Sequence, residues 1–182
     1  NSAENFDGDG QMSLLQESIK LYNLKHPLIA KFLGINFHSL SDPKKHEPTI
    51  ITEYLPKGSL KNNLYEGEKR LTNPNLTSTK KYIILLGVSD VMRYLHEHNI
   101  IHKNLNPTNI LLDTNYYPRV TDIILPSCIQ NFLSKMKSTP IYLAPELLNG
   151  IENKFSPSSD VYSFGMLAYE IIAEIEPFSE LG

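Results

Sequence analysis

IHKNLNPTNILLD, residues Ile101 to Asp113, is the stretch whose reading decides the fold. Two apolar ends flank a polar loop that carries His102, Asn104, Asn106 and Asn109 around Pro107. Proline fixes its own φ and removes a backbone donor, so the chain turns there before resuming as the apolar run Ile110 to Leu112. A polar loop anchored on both sides by core segments is where a fold usually places chemistry. An ordinary Asn-rich turn remains open on this stretch alone.

Working outward, composition bounds the answer. The chain has 182 residues, 41% hydrophobic and 20% charged, enough for a globular domain with a buried core. A net charge of -3 and a pI near 6.1 supply no basic field to draw in nucleic acid. The single cysteine, Cys128, cannot close an internal disulfide. No apolar run reaches the length of a bilayer span, and no signal-peptide pattern opens the chain. A cytoplasmic protein without membrane insertion is expected.

Asn1 to Gln11 is acidic and Gly-rich and reads as a disordered tail. Ser13 to Leu24 reads as a helix, with Ser13 and Gln16 as a capping box and Leu15, Ile19 and Tyr22 on one face. Ile29 to Phe37 and Thr49 to Leu55 read as strands, and Lys61 to Thr79 mostly as loop. Lys80 to His98 is a helix with Ile84, Val88, Val91 and Leu95 on one face and Asn99 as its stop. Ile110 to Leu112 and Pro118 to Ile123 form strands joined by a turn. Leu125 to Ser138 is irregular, and Ile141 to Leu148 is a loop and short helix. Ser158 to Glu174 is an apolar helix capped by Ser159, its faces supplied by Val161, Phe164, Leu167, Ala168 and Ile171. His96, His98 and His102 invite a zinc reading, but HEHNIIH is not HExxH and no Cys or carboxylate cluster completes a site.

HKNLNPTN followed by ILL closely resembles the catalytic loop of eukaryotic protein kinases, HRDLKPxN followed by a strand. The resemblance extends on both sides. Glu17 through LYNLKHPLIAKFLGI is similar to the kinase C-helix and the strand after it, and TIITEYLPKGSL to the strand, gatekeeper and hinge. RVTDII resembles the strand and DFG motif, STPIYLAPELL the end of an activation segment, and SSDVYSFGMLAYEII the F-helix with Asp160. These motifs stand in family order from Leu14 to Gly182, and the wording of the last two is most like the tyrosine-kinase-like group, which acts on Ser and Thr. The resemblance implies an α+β, bilobal protein-kinase-like fold with a truncated N-lobe and a C-lobe lacking its last helices. The expected division is a tail over 1–11, a partial N-lobe over 12–55 with C-helix, two strands and hinge, and a partial C-lobe over 56–182.

The resemblance also implies site residues. Thr52 stands at the gatekeeper, Glu53 and Leu55 present backbone groups to adenine, Leu111 lies under it, and Glu17 is the C-helix carboxylate. Asn109 and Asp122 supply the oxygen ligands for the Mg²⁺ that accompanies ATP. Leu21, Phe32, His102 and Ile123 make the stack linking the two lobes. Other positions depart from the family. The catalytic Asp is Asn104, the loop Lys is Asn106, the Arg is Lys103, and Phe-Gly after Asp122 is Ile123-Ile124. No Lys precedes Lys20, so the ATP-anchoring Lys is either missing or lies upstream of residue 1. An amide cannot act as general base, and losing that group costs about 10²–10⁴ in rate. Losing the loop cation removes charge stabilisation as well. The expectation is a pseudokinase acting as a signalling scaffold or regulator for protein partners, with residual binding of Mg·ATP. A weakly active Ser/Thr kinase, in which Asn104 only orients the hydroxyl, is the alternative. A non-enzymatic interaction module, or a remnant that does not fold independently, stands beside it.

Overall fold

The computed structural model describes residues 8–36, 49–65, 73–123, 140–148 and 155–179. Helices and two small antiparallel sheets alternate along the chain, an α+β arrangement. Helix α1 spans Gly8–Asn23 and leads to strands β1 (Phe32–Asn36) and β2 (Thr49–Thr52). Helices α2 (Leu60–Leu64) and α3 (Ser78–Glu97) follow, then β3 (Ile110–Leu112) and β4 (Pro118–Val120). Helices α4 (Pro145–Leu148) and α5 (Pro157–Ala173) complete the described elements. β1 pairs with β2, and β3 with β4.

The core gathers on α3. Ile84, Val88, Val91 and Leu95, the face set by the helical period, are all fully buried. They pack with Leu60 and Leu64 of α2, Leu112 and Val120 of the β3–β4 hairpin, and Leu167 and Ile171 of α5. Each such side chain stabilises the fold by roughly 1.5–3 kcal/mol relative to exposure. Gly87 lets α3 approach β4, since a Cβ there would lie 2.7 Å from Pro118 Cγ. Thr77 caps α3 by accepting the Lys80 N–H, and Asn99, at φ 56°, turns the chain out of it.

The β3–β4 hairpin carries the loop of interest and is stitched on both edges. On one edge the Ala30 N–H donates to Val120 O and the Val120 N–H to Leu28 O, each at 2.8 Å. On the other the Leu112 N–H donates to Gly58 O at 2.9 Å. The turn after α1 is tied to α3, where the Lys25 N–H donates to the Tyr94 hydroxyl and His26 Nε2 meets Asp90 at 3.2 Å.

Several elements differ from the sequence reading. α1 starts at Gly8, so residues 8–11 are helical rather than tail and Ser13 lies inside the helix. Each added helical residue gains a hydrogen bond without a new nucleation cost, so a helix can run past a cap signal. The face Leu15, Ile19 and Tyr22 is exposed, whereas Ser18 is buried and Leu21 and Leu24 pack against the core. Two overlapping apolar faces share that helix, and periodicity alone does not say which one meets a neighbour. The segment expected to be mostly loop contains α2, capped by Ser59. Ser156, not Ser159, caps α5, with Ser159 answering it in a reciprocal capping box, and Val161 faces outward at 64% exposure. β2 ends at Thr52 and β4 at Val120, short of the expected Leu55 and Ile123. β4 stops early because Asp122 enters the left-handed region at φ 58°, which a strand does not tolerate. Residues 125–138, Ile124 and Thr139 lie outside the described part. Among the described residues, no helix is long and apolar enough to cross a membrane.

Candidate active site

The loop from Ile101 to Asn106 has no ladder of its own, so side chains must hold it. Asp160, in the first turn of α5 and 1% exposed, does most of this. Its carboxylate accepts the backbone N–H of His102 at 2.8 Å and of Lys103 at 2.9 Å, and meets His96 Nε2 at 2.9 Å. Lys103 sits at φ 70°, a conformation that costs a non-Gly residue of order 1–3 kcal/mol. Two adjacent N–H groups reaching one carboxylate is what keeps it there.

His102 is fully buried. Its Nδ1 accepts the Asn104 N–H at 3.2 Å, so its proton sits on Nε2, which has no partner among the described residues. Burial pushes its pKa down against the charges of Asp160 and Asp122, and the ring is neutral. The three histidines are thus spent separately: His96 on Asp160, His98 on the Tyr94 carbonyl, His102 on the loop. Among the described residues no group of three His, Cys, Asp or Glu could hold a metal.

Three asparagines form one cluster. Asn106 Oδ1 accepts the Thr108 N–H at 2.9 Å, capping the 3₁₀ turn Pro107–Asn109. Asn106 Nδ2 donates to the Asn104 carbonyl at 3.0 Å and to Asn104 Oδ1 at 2.9 Å. Asn109 Nδ2 donates to the same carbonyl at 2.8 Å, which leaves Asn109 Oδ1 without a described partner. The Thr121 N–H donates to Asn109 O at 3.0 Å, so Asn109 and Asp122 lie on adjoining backbones at one end of the β3–β4 hairpin. The Asp122 carboxylate is exposed and, among the described residues, takes one bond, from Thr121 Oγ1 at 3.3 Å. An amide oxygen and a carboxylate are hard oxygen donors of the kind Mg²⁺ prefers, and here they stand on adjoining backbone segments.

On the other side of the hairpin, the Glu53 N–H donates to Lys31 O and the Glu53 carboxylate accepts the Lys31 N–H. No described hydrogen bond takes the Glu53 carbonyl or the Leu55 N–H. That pairing of a free acceptor and a free donor fits a flat heterocycle edge such as adenine. Leu111 is half-buried and bridges Ser59 beside them. Thr52 lines a cleft with Leu21, Phe32, Asp122 and Ile123 that encloses about 380 Å³, the open solvent at its mouth included. His102 is not part of that lining. The side chain of Glu17 lies outside the described part.

One buried acid was not singled out from the sequence. Glu170 of α5, fully buried, accepts the hydroxyls of Tyr65, at 2.9 Å, and Tyr142. The signal was present, because Glu170 falls between Leu167 and Ile171 on the buried face of an apolar helix. Burial raises its pKa above the ordinary 4.5, against the two tyrosine hydrogen bonds. A carboxyl whose folded pKa is raised contributes stability that is full below the unfolded value and lost as pH rises through the folded one. Glu170→Gln keeps the shape and does not titrate, and a tyrosine hydroxyl can turn to accept from its NH₂. Its stability relative to the natural protein is therefore expected to rise as pH goes from about 4 to about 8 in denaturant titrations. A difference that falls over that range would show the carboxylate to be stabilised as the anion.

Comparison with known proteins shows the family. A family model described as protein tyrosine and serine/threonine kinase matches residues 2–181. Cysteine-rich receptor-like protein kinase 37 of Arabidopsis thaliana is 33% identical over 174 residues, 91% of this chain and 25% of that protein. Receptor-interacting serine/threonine-protein kinase 1 of Homo sapiens is 30% identical over 182 residues, again 91% of this chain and 25% of that protein. The chain spans about a quarter of the length of these curated relatives.

Proposed function

The chain belongs to the protein tyrosine and serine/threonine kinase family, and from that premise we propose that it is a pseudokinase of the tyrosine-kinase-like group. It holds Mg·ATP without efficient phosphotransfer and serves protein partners as a cytoplasmic signalling scaffold. The observation that carries this reading is Asn104, which stands where the family places its general base and whose side-chain oxygen is already taken by Asn106. An amide has negligible basicity, and Asn106 brings no positive charge to a transferring phosphoryl group. Two relatives named above as kinases, one of them a serine/threonine kinase, support the assignment of the group.

Bound ATP supplies the phosphate chain and Mg²⁺ neutralises part of its charge. Asn109 and Asp122 would hold the ion, Glu53 and Leu55 would meet adenine through their backbone, and Leu111 would lie under the ring. Thr52 borders the cleft behind, and Glu17 is assigned to the C-helix carboxylate. The test is a thermal melt with ATP, with and without Mg²⁺. A ligand that binds only the folded state at a hundredfold excess over its Kd stabilises it by about 2.7 kcal/mol. A Mg²⁺-dependent rise is expected, and Asp122→Ala should remove it. A cooperative melt that Mg·ATP leaves unmoved would take the nucleotide out of this reading.

A further inference from the structure

We infer that Asn106 is a positioning residue that holds Asn104 with its amide nitrogen outward, and that this nitrogen binds the terminal phosphate of a nucleoside triphosphate. The inference rests on the reading proposed above and deepens it by naming what the altered loop selects.

The backbone dictates how both amides are turned. The Thr108 N–H needs an acceptor and takes Asn106 Oδ1, which directs Asn106 Nδ2 onto the Asn104 carbonyl. The Asn104 side-chain atom that meets the same Nδ2 must therefore be an acceptor, its Oδ1. Asn109 Nδ2 grips the Asn104 carbonyl as well, so the peptide is held from two sides. What Asn104 has left is its NH₂, which makes no hydrogen bond to a described residue. It is also not buried, since the one buried side-chain nitrogen or oxygen without a partner among the described residues is His102 Nε2.

That group has two hydrogens to give and no basic lone pair with which to take a proton. A hydroxyl poised for transfer sits about 3–3.5 Å from the phosphoryl it attacks, so a donor placed to address the hydroxyl is also placed to reach the phosphate. Phosphate oxygens are charged acceptors. A hydrogen bond to such a group is worth roughly a ten- to hundredfold change in affinity. A diphosphate has no oxygen at that position. The loop that lost its base thereby becomes a reader of the third phosphate.

The test is calorimetric titration of the protein with Mg·ATP and Mg·ADP. The natural chain is expected to prefer the triphosphate by about tenfold or more. Asn104→Leu, which has no donor, should lose that preference, with a cooperative melt reporting that the variant is folded. Asn104→Asp should lower the preference too, by setting a carboxylate against phosphate. Asn106→Ser retains an oxygen to cap the Thr108 N–H but frees the Asn104 amide, and should move the preference toward that of Asn104→Leu. Equal affinity for both nucleotides in the natural chain, or a triphosphate preference that survives Asn104→Leu, would overturn the inference and leave the proposed nucleotide binding standing. Binding of neither nucleotide would overturn both.

Discussion

Asp160→Ala is expected to lower the unfolding free energy by about 3–5 kcal/mol, the usual cost of removing one partner from a buried charged network. The side chain is 1% exposed and answers three donors: the N–H groups of His102 and Lys103 and the Nε2 of His96. Alanine leaves the two backbone donors beside a void, and an unsatisfied buried donor costs about 1–3 kcal/mol. Lys103 would then hold φ 70° without the Asp160 carboxylate on its N–H. The loop that carries Asn104 and Asn106 should loosen, so the same variant should also weaken Mg·ATP binding. Urea denaturation measures the first effect and the melt with nucleotide the second. A loss below about 1 kcal/mol, the range of an ordinary surface change, would mean that something other than Asp160 holds the loop.

The second large effect concerns rate. Asn104→Asp together with Asn106→Lys is expected to raise phosphate transfer from ATP to a Ser/Thr peptide by about 10²–10⁴ over the natural chain. The first change supplies a carboxylate base for the hydroxyl proton, and the second supplies an ammonium charge beside the phosphoryl group. Asn104→Asp alone should gain less. There Asn106 Nδ2 still occupies one carboxylate oxygen, as it now occupies Asn104 Oδ1, and no cation is added. Asn106→Lys also gives up the cap on the Thr108 N–H, a loss of about 0.5–2 kcal/mol in stability that the rate gain should outweigh. Adding Asp122→Ala to the double variant should abolish the gain, because it removes the carboxylate assigned to the metal. A natural chain already as fast as the double variant would make it an active kinase, with Asn104 orienting the hydroxyl rather than deprotonating it.

Much of the fold was legible because it depends on local rules. The period of Ile84, Val88, Val91 and Leu95 located α3 and its buried face, and Asn99 marked its end because Asn accepts the left-handed conformation that the stop requires. The apolar runs around Pro107 located the β3–β4 hairpin and the polar loop before it. The loss of basicity and charge at Asn104 and Asn106 could be read from the residues alone, because no surroundings turn a side-chain amide into a general base or a cation.

Other features required the folded chain. Leu15, Ile19 and Tyr22 share a face of α1 as regular as the one on α3, yet they are exposed while Ser18 is buried. Which of two apolar faces is used depends on what lies across from it, and that partner comes from elsewhere in the chain. Glu170 could have been an outward acid. Only the meeting of α5 with Tyr65 and Tyr142, distant in sequence, makes it a buried carboxyl with two hydroxyl donors.

The sequence by itself determined the family and the chemical identity of the loop side chains, neutral amides at Asn104 and Asn106. Only the tertiary structure decided how those amides are turned. The direction of Asn104's NH₂ follows from the Thr108 N–H, the Asn104 carbonyl and the bonds from Asn106 and Asn109. Hydrogen-bond direction is a property of donors and acceptors placed opposite one another, and chain folding is what places them.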